Sequence, residues 1–297
     1  MKIDLTNKFY FKLIMTNVSP LRYPGGKTRA CKILTTILEE NNINLNEYTY
    51  LASPFFGGGS FEFFIGNKYP QLTILANDKF TPLFNFWEKV ADQNKRNTLC
   101  LELEKELGKV TKESFLEKRE TLTNSNMEST LETARDYFII NRCSFSGATL
   151  SGGFSKESSI NRFTQSSIDR VKSLNLEKFK FSNINFIDFM YTIGIIEENK
   201  KYFVFLDPPY FLEKGSKLYG NSGDLHEDFN HEALWLLLIS YTSLNIPWML
   251  TYNDCPYIRD LYSLESTNHE KIKIKEVDWK YGMNKTKKSS EIVITSF

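Results

Sequence analysis

The run YFVFLD at 202–207 is apolar at every position except its last, with no alternation along it. A strand of that kind has both faces covered, which points to a parallel sheet packed between helices. YTYLAS (48–53), LTILAN (72–77), FKFSNI (179–184), WMLTYN (248–253), IKIKEV (272–277) and EIVITS (291–296) are read as further strands. Helices are expected around 28–40, 60–67, 81–93 and 230–243. The chain therefore reads as an α/β fold with a mainly parallel seven-stranded sheet.

One interval breaks the alternation. Residues 92–175 are helical and polar in pattern, with no core strand, so they read as an insertion. The expected division is a catalytic domain of 1–91 and 176–297 around an inserted subdomain of 92–175. A chain of 297 residues is long enough for one large core carrying such an insertion.

Composition narrows the partners. A net charge of +1 gives no overall pull on polyanions, though a local basic face can still bind nucleic acid. Cys31, Cys100, Cys143 and Cys255 lie far apart, and the chain has only three His, so neither a metal cluster nor a disulfide framework is expected. No apolar run reaches 18 residues, so a soluble cytoplasmic protein with no membrane partner is the expectation.

Three strand ends carry chemistry. FVFLDPPY (203–210) runs an apolar strand into Asp207, then Pro208, Pro209 and Tyr210. The prolines fix φ, so a carboxylate and an aromatic ring leave the sheet in one stiff geometry, at the edge where open α/β sheets bind ligands. LASPFFGGGSFEFF (51–64) ends a strand in Gly57, Gly58 and Gly59, which permit a tight turn and close backbone approach but do not form GxGxxG. LTILANDKF ends a strand at Asp78, placed either to hold a nucleoside's ribose hydroxyls or to cap the helix starting near Pro82.

LRYPGGKT (21–28) imitates the end of a phosphate loop. The loop would need a glycine five positions before Gly26, where Leu21 stands, and the preceding KLIMTNVSP is a poor buried strand. The match to a triphosphate loop fails.

Asp-Pro-Pro-Tyr resembles the catalytic motif of DNA amino-methyltransferases. PFFGGG is similar to the cofactor turn of the Dam-type (alpha-group) adenine-N6 enzymes. Gly25-Gly26-Lys27 resembles their N-terminal motif, with Tyr23-Pro24 where Trp-Ala is usual. NRCSFSG, from Asn141, is similar to their recognition segment, and the motifs fall in the order of that group.

The resemblance implies a Rossmann-like methyltransferase fold whose insertion recognises DNA. It implies S-adenosylmethionine as the methyl donor and base flipping of a target adenine in duplex DNA. Asp207, Pro208 and Tyr210 would be catalytic. Tyr23, Gly25, Gly26, Lys27, Pro54, Phe55, Gly57, Gly58, Gly59, Asp78, Asp188 and Asp207 would line the cofactor site.

DNA contacts would come from Asn141, Arg142, Ser144, Lys156, Arg162, Tyr219, Lys285 and Lys287. Residues 141–180 carry a local charge of +4, which suits phosphate contacts. His226 and His231 read better as solvated loop or helix-start residues than as DNA contacts. The implied partner is double-stranded DNA bound by a monomer, with room for a cognate restriction endonuclease. The rival readings are a methyltransferase acting on RNA or a protein amide, and a silent DNA-binding relative.

Overall fold

A computed structural model of the chain describes residues 18–124, 127–195, 200–211, 229–267, 269–277 and 291–297. Among these, the elements in chain order are α1 (Cys31–Glu40), β1 (Tyr50–Ser53), α2 (Ser60–Lys68), β2 (Thr73–Asn77), α3 (Thr81–Ala91), α4 (Gln93–Glu106), α5 (Lys112–Thr123) and α6 (Leu131–Cys143). There follow α7 (Lys156–Asn161), α8 (Gln165–Lys172), β3 (Phe179–Ser182), α9 (Phe186–Ile195), β4 (Tyr202–Leu206), α10 (His231–Ser243), β5 (Trp248–Asn253), α11 (Pro256–Leu261), α12 (Leu264–Thr267), β6 (Lys273–Val277) and β7 (Glu291–Thr295).

The strands form one sheet in the order β3-β2-β1-β4-β5-β7-β6. Pairs among β1 to β5 are parallel, whereas β7 runs antiparallel to both of its neighbours, so the sheet is mixed. The order reverses at β1: the chain moves outward through β2 and β3, then returns to β4 on the other side. That switch point lies at the C-terminal ends of β1 and β4, the place where open α/β sheets take ligands.

The continuous apolar pattern is explained by two cores. Phe203 and Phe205 of β4 face one core with α1 to α6, while Tyr202, Val204 and Leu206 face the other with α9, α10 and α11. All five β4 residues are buried as a result. By contrast β6, at the sheet's edge, exposes Lys273, Lys275 and Glu276, charges that discourage another strand from pairing there.

Residues 92–175 contribute no strand to the sheet among the described residues. Their helices begin on side-chain caps: Thr111 and Ser114 form a capping box on α5, and Thr130 and Thr133 form another on α6. Leu99, Phe115, Tyr137 and Phe138 join the same apolar cluster as one face of the sheet. A polar sequence thus buries one apolar stripe against the sheet's helices and leaves the rest outward. No helix is long and apolar enough to cross a membrane among the described residues.

Candidate active site

The glycine turn after β1 is shaped by two side chains. Gly57 and Gly59 hold φ of +50° and +66°, and a Cβ on Gly59 would meet the Phe56 ring at 2.4 Å. Gly58 needs its missing side chain for another reason, because a Cβ there would lie 2.9 Å from Cβ of Tyr23. Tyr23 therefore lies against the turn.

Asn77 ties the strand ends together. Its Nδ2 donates to the carbonyls of Pro54 and Ile184, and its Oδ1 accepts from Ser182 Oγ and the Ile184 amide. Pro54 and Phe55 are thus fixed at the mouth of β1. Phe55 is half-buried, 5.4 Å from Phe186 and 5.5 Å from Phe229 between ring centroids.

Asp78 does not cap α3, whose N-cap is Phe80. Its Oδ2 accepts from the Gly57 amide at 2.8 Å and its Oδ1 from the Phe80 amide at 2.9 Å. A carboxylate offers two acceptor positions per oxygen, so each keeps one for a further donor. Desolvation raises its pKa to about 6, partly countered by those two amides.

Lys27 is not a surface lysine: it is 3% exposed. Its Nζ lies 2.8 Å from Asp207 Oδ1, donates to the Gly25 carbonyl at 3.0 Å and lies 5.0 Å from the Tyr210 ring centre. Thr251 Oγ1, on the neighbouring strand β5, donates to the same Asp207 oxygen at 2.7 Å. Both donors hold Oδ1; Oδ2 has no partner among the described residues, and the Asp207 side chain is 24% exposed. The carboxylate is thus oriented from behind and free to accept in front. Pro208 is buried, while Tyr210 is half-buried with its phenol donating to Glu291 Oε2 at 2.8 Å.

Two residues of this cluster were not singled out in the sequence. Glu62 is 2% exposed and accepts from Ser53 Oγ at 2.6 Å, and desolvation raises its pKa to about 7. The charges of Asp207 and Lys27 both act on it. Its signal was an acid inside SFEFF, a run otherwise apolar past its first residue. Glu291, at the start of β7, left no such signal.

The recognition-segment residues divide sharply. Asn141 and Ser144 are fully buried and Arg142 is 8% exposed, so these three do not face a DNA surface. Asn141 instead pairs with the backbone of Arg22, accepting from its amide at 2.9 Å and donating to its carbonyl at 2.7 Å. Arg22 Nη1 donates to the Ser144 carbonyl at 2.9 Å and to Ser158 Oγ at 3.2 Å, while Arg142 donates to the carbonyls of Pro20 and Arg162. Burial beside other arginines lowers the Arg142 pKa to about 10. Lys156 and Arg162 are exposed, and so is Phe145, 69% exposed on a loop where Ser146, Gly147 and Thr149 all have positive φ.

Asp188 is exposed on the first turn of α9. His231 is not a solvated residue, since it is buried at the start of α10 with Nδ1 2.6 Å from the Tyr252 hydroxyl. Tyr219, Lys285, Lys287 and His226 lie outside the described residues. The four cysteines are free thiols.

A mixed α/β sheet with an acid and an aromatic held at its switch point fits a methyltransferase fold. The chain belongs to the D12 class N6 adenine-specific DNA methyltransferase family, whose model matches residues 23–283, and it is accordingly an enzyme. A comparison with curated proteins returns no match.

Proposed function

We propose that the chain transfers a methyl group from S-adenosylmethionine to the N6 amino group of a flipped adenine in duplex DNA. The observation that carries this reading is the Asp207–Lys27–Thr251 arrangement at the end of β4. Among the described residues both donors take Oδ1, which keeps Oδ2 for an incoming donor at the switch-point end of β4.

The site suits a nucleoside-bearing methyl donor on the chemistry of its donor set. Asp78 keeps acceptor positions suited to ribose hydroxyls, and the backbone of Gly57 to Gly59 lies bare beside Tyr23. Phe55 offers a half-buried aromatic ring to an adenine. Lys27 and Gly26 close the opposite wall, and Asp188 is placed at the outer rim. When bound, S-adenosylmethionine would supply an activated methyl group, its carbon–sulfur bond breaking with the electron pair on sulfur to leave S-adenosylhomocysteine.

The remaining work falls to the chain. Inside a duplex the target amine cannot reach a buried donor, so the base is taken out of the stack. Tyr210 stacks on the extruded ring, worth about 1–3 kcal/mol by analogy with base–aromatic stacking. The free oxygen of Asp207 and the Pro208 carbonyl accept hydrogen bonds from the two amino hydrogens. These contacts direct the nitrogen lone pair at the methyl carbon and stabilise the positive charge that grows on nitrogen as the new bond forms. One amino proton then leaves, and Asp207 is the nearest acceptor.

Residues 92–175 serve as the target-recognition part, with Lys156 and Arg162 on phosphates and Phe145 against the bases. The basic stretch with Lys285 and Lys287, and Tyr219 beyond the catalytic motif, complete the DNA contacts. Asn141, Arg142 and Ser144 act indirectly, by holding the loop that carries Phe145.

Expression in a host without DNA methylation, followed by mapping of modified adenines by single-molecule sequencing, tests both activity and target. Modified adenines in one sequence context are expected with the wild type and none with Asp207→Ala. An active, folded preparation that instead methylates RNA or a protein amide would overturn the reading.

A further inference from the structure

Lys27 is bracketed by two acids of which only one is accounted for by the reaction. Its Nζ is 2.8 Å from Asp207 and 4.0 Å from Glu291 Oε2. The same Glu291 oxygen accepts the phenol of Tyr210 at 2.8 Å. Glu291 is 2% exposed, a burial that ionisable residues reach only when partnered, and Tyr210 and Lys27 are among its partners. It stands on β7 beside Asn253 of β5, so its backbone is fixed by the antiparallel pairing of the sheet.

We propose that Glu291 is a positioning residue for methyl transfer, fixing the ring of Tyr210 and the ammonium of Lys27 in the places from which they face the flipped base. This rests on the methyltransferase reading of the same site. The ring of Tyr210 already packs beside Tyr252 and under Lys27, and a hydrogen bond from its far end to a strand residue fixes its direction further. The ring then meets an incoming base already oriented. Glu291 also shares the Lys27 charge with Asp207.

The test uses the full chain, S-adenosylmethionine and genomic DNA from a host lacking adenine methylation. Glu291→Ala is expected to lower kcat roughly tenfold to a hundredfold, as the loss of one charge-assisted hydrogen bond would. KM for DNA should stay within about twofold, since DNA contacts lie elsewhere. Glu291→Gln keeps an acceptor for the phenol without the charge and is expected to fall between wild type and Glu291→Ala. The double variant Glu291→Ala with Tyr210→Phe should lose no more than Glu291→Ala alone, because that variant already removes the bond the phenol makes to Glu291. Should Glu291→Ala fail to fold, the same cycle with Glu291→Gln decides.

Additive losses in the double variant, or a wild-type kcat in both Glu291 variants, would overturn the inference. A folded wild-type chain that transfers no methyl to DNA overturns the assigned reaction and this inference together. An active wild type indifferent to Glu291 overturns this inference alone.

Discussion

Lys27 Nζ lies 2.8 Å from Asp207 Oδ1, so the lysine of the N-terminal glycine stretch and the acid at the end of β4 form one ion pair, buried on the lysine's side. The pair explains why a glycine-lysine stretch that fails as a phosphate loop still ends in a lysine. Removing Lys27 would take from Asp207 and Glu291 the ammonium that lies between them. Lys27→Ala should destabilise the fold by about 2–4 kcal/mol, somewhat less than for a fully buried pair because Asp207 is partly exposed. Urea unfolding would measure this. Asp207→Ala leaves the buried Lys27 ammonium with Glu291 Oε2 at 4.0 Å, so it should cost a comparable amount of stability and cut kcat by at least about a hundredfold.

Tyr23 and Gly58 predict a compensating pair. Gly58→Ala places a methyl 2.9 Å from Tyr23 Cβ, which forces the ring or the turn to move. S-adenosylmethionine affinity should fall by about tenfold in Gly58→Ala, while DNA affinity changes little. Tyr23→Ala should weaken cofactor binding as well. A double variant that pairs Gly58→Ala with Tyr23→Gly should recover part of the Gly58→Ala loss, because only glycine at 23 removes the obstructing Cβ. Calorimetric titration with the cofactor, in the absence of DNA, decides it.

Glu62 makes stability pH-dependent in an unusual direction. The unfolded glutamate ionises near pH 4.3, whereas burial holds the folded one up to about 7. The folded state therefore keeps a proton that the unfolded state has released. This group's contribution to stability is lost as pH rises between those values and is level above them. Glu62→Gln retains an acceptor for Ser53 and cannot ionise. Relative to wild type, the variant should gain on the order of 2–4 kcal/mol between pH 5 and pH 8. A constant difference in urea midpoint across that range would contradict the assignment.

On the DNA side, exposure separates the predictions. Lys156→Ala and Arg162→Ala should each weaken binding at all sequences and reduce the salt dependence by about one counterion. Phe145→Ala should leave thermal stability within about 0.5 kcal/mol, since the ring is solvated, yet lower turnover on duplex DNA more than on single-stranded DNA. Asn141→Ala should do the reverse, costing about 1–3 kcal/mol of stability through the backbone groups of Arg22 left unpaired. Binding curves at several salt concentrations, beside melting curves, would tell the two sets apart.

The strands were legible because burial on both faces leaves a dense apolar signal: β5 was placed to the residue and the others to within two. Helix α9 was not anticipated, since NFIDFMYTIGI gives apolar residues at strand-like and helix-like spacings alike. The reversed direction of β7 was invisible too, because strand sense is set by how the chain returns and not by its residues. In the site, rigid backbone features such as Asp207-Pro208-Pro209 and the three glycines could be read directly. Partners such as Glu291 for Tyr210, or Arg22 for Asn141, depend on distant segments meeting and leave no local trace. The same limit made Arg142 look like a phosphate ligand when burial commits its guanidinium to two carbonyls.

The clasp between Arg22 and Asn141 has a consequence for rebuilding specificity. The loop from Ser144 to Phe154 closes over Arg22, and a Cβ on Gly147 would sit 2.6 Å from Arg22 Cβ. A loop transplanted from another chain would therefore arrive without its mate unless residues 20–22 travelled with it. What looks like one interchangeable module is encoded in two places, and a designer exchanging only the visible half inherits a mismatched hinge.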